Sequence, residues 1–229
     1  MSFKIAIDGP SGAGKTTLAK SVAKKLGFTY IDTGAMYRTV GLYMLNNGID
    51  INNEKDVVKE LDNIKINLKY KDGIQLIFLN GKDVSSDIRM NEVSHAASVV
   101  SVYKDVREKL VFMQRELAKS TNVVMDGRDI GTNVLKDANI KIFLTADVKM
   151  RAIRRMEELR EKGINKTVAE VEEELKIRDD RDMNRENNPL KKAEDAIELD
   201  TTNMKVEEEV NFIINLYNER KGEDNENND

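Results

Sequence analysis

Short apolar runs and longer amphipathic ones succeed each other along most of the chain. Lys4-Ile-Ala-Ile-Asp8 is a strand-length run that stops at a glycine-rich loop, Gly9 to Gly14. From Lys15 to Leu26 the residues Leu18, Val22 and Leu26 recur every four positions, the spacing of one helical face. Gly27 closes that helix, and Phe28 to Ile31 reads as a second strand. Strand, loop, helix, strand is the opening of a parallel α/β sheet. Val123-Val-Met125, ending at Asp126, and Ile140 to Leu144 continue the sheet, and the weaker Ala196 to Leu199 adds a last strand.

Between Ile64 and Val84 the rhythm changes to strict alternation. Ile64, Ile66, Leu68 and Tyr70 alternate with polar residues, Asp72-Gly73 turns, Ile74, Leu76 and Phe78 alternate again, and Asn80-Gly81 turns. This predicts a small antiparallel sheet inserted into the parallel core. From Arg151 to Arg185 the pattern predicts two charged helices joined near Gly163, with Glu172 to Glu174 on a solvated face. Residues 222–229 are acidic and polar without apolar anchors, which predicts a disordered tail. No solenoid-period repeat is present.

Composition narrows the chemistry. The 229 residues carry a formal charge of -4 at neutral pH, with no overall basic excess of the kind a general nucleic-acid binder shows, so no nucleic-acid partner is expected. Absence of cysteine removes disulfides and thiolate chemistry, and one histidine, His95, offers neither a His-rich metal site nor a triad. No apolar run approaches membrane-spanning length, and the first residues enter a strand without a signal-like stretch. The expectation is a cytoplasmic globular protein with no membrane partner.

Gly9-Pro10-Ser11-Gly12-Ala13-Gly14-Lys15-Thr16, followed by Thr17, fits the GxxxxGK[ST] phosphate loop. Glycines let backbone N–H groups converge on phosphate oxygens, and the helix that starts at Lys15 points its positive end at the same anion. Lys15 supplies a mobile charge for the outer phosphates. The Thr16 hydroxyl suits magnesium, and Asp126, at the end of an apolar strand, suits the same ion through a water. Asp8 also falls at a strand end facing this region.

A loop of this kind serves many enzymes, so the acceptor must be read elsewhere. Thr33 at a helix start with Arg38 beyond it suits a monophosphate; a plain N-cap at Asp32 or Thr33 accounts for the same residues. Asp126-Gly-Arg128-Asp129 crowds an arginine and two carboxylates onto one turn at a strand end, where α/β folds bind ligands. Arg178, Arg181, Asp182 and Arg185 fall on one helical face, and Arg151, Arg154 and Arg155 begin another. Surface ion pairing such as Arg178 with Asp182 is the alternative. Convergent arginines are what phosphoryl transfer needs, because its transition state spreads negative charge over the equatorial oxygens.

Taken together, IDGPSGAGK, DTGAMYR, the Ser94-to-Ser98 stretch with Val106-Arg107-Glu108, DGRDIGT and RDDRDMNR resemble the cytidylate kinase family from about Ile5 to Thr201. The resemblance implies a P-loop NTPase three-layer α/β fold with a parallel core sheet, a small antiparallel insertion for the acceptor nucleotide and a short helical lid. It implies a kinase domain over 1–221, with core segments about 1–48, 101–150 and 186–221, the insertion about 49–100 and the lid about 151–185. The implied reaction is magnesium-dependent transfer from ATP to CMP or dCMP by a monomer. Thr33, Arg38 and Arg128 would hold the acceptor phosphate, and Ser98, Arg107 and Asp129 the cytosine. Arg178 and Asp182 would meet the sugar, Arg185 the phosphates, and Arg154 the ATP, so that Lys15, Arg128, Arg185 and Arg154 carry the catalysis. His95, beside the implied base site, is expected to pack within a helix. The rivals are a kinase for another small acceptor, such as a different nucleoside monophosphate or shikimate, and a nucleotide-dependent switch or RNA-associated regulator.

Overall fold

The computed structural model describes residues 2–71, 74–161 and 163–226. The chain folds as two compact units, Met1–Tyr30 with Thr121–Asp229, and Ile31–Ser120. In the first unit β1 (Lys4–Asp8) runs into the glycine loop and α1 (Lys15–Leu26), and β2 (Thr29–Asp32) carries the boundary to the second unit.

The second unit holds α2 (Thr33–Asn46), α3 (Glu54–Glu60), β3 (Ile66–Lys71), β4 (Ile74–Leu79), β5 (Lys82–Asp83), α4 (Asn91–Val100) and α5 (Lys104–Leu117). The first unit resumes with β6 (Val123–Gly127), β7 (Ile140–Thr145), α6 (Val148–Glu161), α7 (Val168–Asn184), β8 (Ile197–Asp200) and α8 (Val206–Glu226).

The five-stranded sheet has the order β2-β6-β1-β7-β8, with β1 parallel to both β6 and β7 and β8 parallel to β7. A central parallel strand is covered on both faces, which is why β1 is apolar without alternation and buried from Ile5 to Asp8. Its Ile5 and Ile7 pack with Val124, Ile142 and Leu144 of the sheet, Leu18 and Val22 of α1 and Ile213 of α8. Tyr217 of α8 makes edge contacts with Phe3 and Phe28 at ring-centroid distances of 4.9 and 5.5 Å, fixing that helix against the start of the chain.

The inserted antiparallel sheet is present, with β4 between β3 and β5 and register pairs such as Leu68↔Ile77. Asn80 and Gly81 both adopt positive φ, the geometry a two-residue hairpin turn demands, whereas the Asp72-Gly73 turn lies outside the described residues. The compact second unit is wider than the expected insertion of 49–100. The cause is α2 and α5: Met36, Val40 and Met44 on α2 and Val106 and Leu110 on α5 share one apolar core with Ile77, Leu79 and Val93. Gly41 permits the close packing of α2 on α4, since a Cβ there would lie 2.9 Å from the Ala97 nitrogen.

Helices α6 and α7 are the two charged helices expected near Gly163, held by a small cluster of their own that includes Ala152, Leu159, Val171 and Leu175. A capping box between Thr167 and Glu170 starts α7. The expected disorder from Gly222 needs correction over 222–226, because α8 continues to Glu226. Once a helix is nucleated by docking, each added residue gains a hydrogen bond, so a polar sequence can extend it. Residues 227–229 of that tail lie outside the described residues.

Candidate active site

Gly9 follows β1 with φ of +150°, and a Cβ there would sit 2.1 Å from the Leu144 carbonyl oxygen, so no side chain fits where the loop leaves the sheet. The loop delivers the chain to α1 through Gly14, a left-handed N-cap without a side-chain capping bond. The N–H groups of the first turn therefore have no capping acceptor and remain suited to an anion. Lys15 is buried, and its ammonium donates to the Pro10 carbonyl. Burial, followed by the positive charge of Arg128, holds its pKa well below the ordinary lysine value. A site that disfavours its own cation is one that gains most when a polyanion arrives.

The Thr16 hydroxyl donates to Asp126 Oδ2 at 3.0 Å, and the Tyr30 hydroxyl donates to Asp126 Oδ1 at 2.8 Å. Parallel register sets Asp126 beside Ile7, one residue before the end of β1, and this brings the strand-end carboxylate to the loop. Thr17 is exposed on the first turn of α1.

Asp8 accepts the N–H groups of Ile130 and Gly131 at 2.8 and 2.7 Å, one on each carboxylate oxygen. It thereby pins the start of the Ile130–Val134 turn that follows Arg128 and Asp129. Burial outweighs these bonds and pushes the Asp8 carboxyl up from 3.8 to about 6. Between those values the folded protein holds a proton that the unfolded chain has released. The stability this group contributes is present below the unfolded value and is lost as pH rises through about 6. Relative to Asp8→Asn, wild type should become less stable from about pH 4 to about pH 7 in denaturant titrations; a stability difference independent of pH would refute the assignment.

Arg128 donates through Nε to Asp182 Oδ2 at 2.8 Å. Burial opposes the Arg128 charge, but Asp182, with Asp179 and Asp126, holds the guanidinium pKa above its ordinary value. Burial likewise opposes ionisation of Asp182, and Arg128 and Arg178 outweigh it, so its pKa is lowered. Asp129 accepts from Arg185 Nη2 at 3.2 Å and from Asn133 at 2.9 Å. Arg185 lies past the end of α7 in extended conformation and also donates to the Asn188 carbonyl, so its place comes from the helix stop rather than from a helical face. Arg128, Asp129, Asp182 and Arg185 are thus one connected cluster, and Arg178 joins it through its charge on Asp182 and Lys15.

Arg154 Nη2 donates to the Thr201 carbonyl at 2.8 Å. Arg151 is the arginine of α6 that reaches the phosphate loop, donating to the Ser11 carbonyl at 2.9 Å and to Asp179 at 2.6 Å. Neither Arg151 nor Asp179 was singled out from sequence for this role, and only burial of both, invisible in a charged stretch, separates them from their neighbours.

In the second unit, Asp32 is the N-cap of α2, accepting from the Ala35 N–H at 2.8 Å, and Thr33 is the buried first residue of the helix. Asp32 also pairs with Arg38 at 2.9 Å and with Arg89 at 3.8 Å. Ser98 on α4 is buried, and so is Arg107 on α5, which donates to the Ser101 carbonyl at 3.2 Å and lies over the Tyr37 ring. His95 is exposed on α4, so the packing role expected of it does not hold.

The sequence profile described as cytidylate kinase matches residues 5–219. This chain belongs to the cytidylate kinase family. A cytidylate kinase of Lactobacillus johnsonii is 48% identical over 219 residues, covering 96% of this chain and 95% of its own length. One from Caldicellulosiruptor saccharolyticus is 52% identical over 215 residues, covering 94% and 95%. The Bacillus cereus protein of the same name is 50% identical over 214 residues, covering 93% and 95%. Among solved structures, a gluconokinase from Sinorhizobium meliloti aligns with a TM-score of 0.50 at 12% identity, covering 96% of this chain and 94% of that one. That likeness concerns the fold, the parallel α/β architecture common to both chains.

Proposed function

We propose that this cytidylate kinase family member transfers the terminal phosphoryl group of ATP to CMP or dCMP, giving ADP and the diphosphate. The observation that carries the reading is that a complete phosphate loop, with Thr16 bonded to Asp126, shares a unit with the Arg128–Asp182–Arg185–Asp129 cluster. Membership of the family supplies the acceptor. Both rivals lose ground: a switch or RNA regulator does not call for the acceptor-directed motifs, and relatives at about half identity throughout the chain bear the cytidylate kinase name.

The assignments follow the resemblance. Residues Gly9 to Thr17 hold the ATP phosphates, and Lys15 neutralises charge on the transferred group. Arg128 and Arg185 supply further positive charge to the phosphates. Thr33 and Arg38 bind the acceptor phosphate, Ser98, Arg107 and Asp129 the base, and Arg178 and Asp182 the sugar. Arg154 is proposed to contact ATP after exchanging its carbonyl partners at Thr201 and Thr202 for phosphate oxygens. There a neutral carbonyl that now accepts from the guanidinium is replaced by a stronger, anionic acceptor. The ionised acceptor needs little help from a general base, so positioning and charge do most of the catalysis.

Magnesium fits the residues present. It takes hard oxygen ligands, commonly one or two protein groups together with substrate phosphates, and Thr16 and Asp126 offer a hydroxyl and a carboxylate 3.0 Å apart. When bound, the ion neutralises phosphate charge. Among the described residues no cluster of three or more acidic or histidine side chains that could hold a metal ion is present. Asp126, proposed to meet the ion through a water, becomes a weaker acceptor for that water as Asn, so Asp126→Asn should raise the magnesium concentration needed for half-maximal rate by about tenfold. A magnesium titration superimposing on that of wild type would remove Asp126 from the metal site.

No helix among the described residues is long and apolar enough to cross a membrane. The reading itself is tested by coupled measurement of ADP release with CMP, dCMP, UMP, AMP and shikimate as acceptors. Highest kcat/KM with CMP or dCMP is expected; preference for another acceptor would overturn it.

A further inference from the structure

The backbone of Ser11 in the phosphate loop is gripped at both its N–H and its carbonyl by side chains from two different helices. Its N–H donates to Asp179 Oδ1 at 3.1 Å, and its carbonyl accepts from Arg151 Nη1 at 2.9 Å. The same Arg151 nitrogen donates to Asp179 Oδ2 at 2.6 Å, closing a ring of hydrogen bonds around the backbone of one residue. Arg151 Nε is held in turn by the Ala146 carbonyl at 3.0 Å, at the end of β7. Both side chains are almost fully buried, at 8% and 6% exposure, so neither charge has water as an alternative partner. The next residue, Gly12, backs onto the same helices: a Cβ there would lie 3.4 Å from Arg151 Cβ and 3.7 Å from Leu175 Cδ1.

We propose that Arg151 and Asp179 are a positioning pair that sets the outer turn of the phosphate loop in its nucleotide-ready geometry and ties it to the α6–α7 hairpin. This role rests on the kinase reading and extends it to residues to which that reading gives none. A glycine-rich loop has many accessible conformations, and aligning its N–H groups on a polyanion costs entropy unless something else fixes the backbone. Here the fixing pair acts on the two peptides that flank Ser11, the residue just before Gly12. It takes up the Ser11 N–H and carbonyl and leaves the later N–H groups to the phosphates. Because α6 and α7 share an apolar cluster through Leu159, Val171 and Leu175, the pair transmits the position of a packed hairpin rather than of two loose side chains. Neither side chain acts on the reacting atoms; both act through the loop.

Two conservative variants separate positioning from plain structural support. Asp179→Asn keeps the shape and one acceptor but turns an amide donor, or an uncharged oxygen, toward Arg151. Arg151→Lys keeps the charge but loses the planar fork that reaches Ser11, Asp179 and Ala146 together. Each is expected to raise the Kd for MgATP, measured by calorimetric titration of the full chain, by about tenfold, with KM for ATP rising in parallel and KM for CMP within about twofold of wild type. The Arg151→Ala/Asp179→Ala double variant should lose less than the product of the two single alanine losses, because the second change removes a charge already stranded by the first. A pair that only stabilises the fold would lower the melting temperature and leave the Kd for MgATP unchanged in the folded variants; that result overturns the proposal, as does an equal rise in both KM values. Should Asp179→Asn fail to fold, Arg151→Lys decides alone by the same Kd. Failure of wild type to bind MgATP at all would strike the kinase reading instead, so the two failures are distinguishable.

Discussion

Replacing Lys15 by alanine is expected to lower kcat by about two orders of magnitude or more, roughly 3 kcal/mol of transition-state stabilisation, while leaving the unliganded fold intact or firmer. The two halves of that expectation have one cause. Lys15 is a buried cation beside the partly buried Arg128, and its pKa is pulled well below the ordinary value by lost hydration and by that neighbour. Such a residue costs the empty protein stability and returns it only when negative charge is brought to the site. Removing it should therefore relieve like-charge crowding in the absence of nucleotide and abolish charge compensation in its presence. Steady-state kinetics and thermal melts on the same preparation check both halves. A folded Lys15→Ala protein with near-normal turnover would show that the phosphate loop is not the reacting centre.

The loop, its helix and the strands that flank it were readable in the sequence to within a residue or two, because each is encoded locally. A glycine-rich turn after an apolar run and before a four-residue periodicity leaves few alternatives, and α1 occupies the expected Lys15–Leu26. The hairpins were readable for the same reason, through alternation between turn residues, but the inward face of β4 was not: register sets Leu79 and Ile77 opposite Ile66 and Leu68, so Ile77 and Leu79 enter the core, and Ile74, Leu76 and Phe78 lie on the other face. The partners of the arginines were not readable. Arg151 and Arg154 are one turn apart on the same helix, and spacing alone says that they share a face without saying which one meets the phosphate loop. The structure gives that contact to Arg151 and sends Arg154 to the Thr201 carbonyl. Spacing offered Asp182 a partner in Arg178 or in a ligand, but could not show its short ion pair to Arg128, 54 positions away. The extent of the second unit was hidden similarly: nothing local in Met36 or Leu110 says that their apolar faces meet the core of the inserted sheet. Exposure of His95 shows the limit of a periodicity argument for a residue at home on either side of a helix.

Asp129→Ala should cost CMP turnover far more than UMP turnover and narrow a wild-type preference for CMP that is expected to exceed tenfold, the discrimination available from one buried polar mismatch of about 1–3 kcal/mol. Cytosine presents an exocyclic amine where uracil presents a carbonyl oxygen. A carboxylate can accept from the first but meets the second lone pair to lone pair. Asp129 has the fixity such reading needs: it is buried, with Oδ1 held by Arg185 and Oδ2 by Asn133. A carboxylate has room for about four acceptor contacts, so these bonds orient the group without exhausting it. They also mean that alanine unpins Arg185, which is assigned to the phosphates, and so both acceptors should lose rate in the mutant. The ratio of kcat/KM for CMP and UMP cancels that common loss and isolates the base contact. Asp129→Asn sharpens the test, because its amide oxygen can still accept from Arg185 while its NH2 group can donate to the uracil oxygen; the ratio should move toward UMP with a smaller loss of overall rate. If both variants keep the wild-type ratio, Asp129 serves only to hold Arg185 and Asn133 in place, and the cytosine is read by other groups.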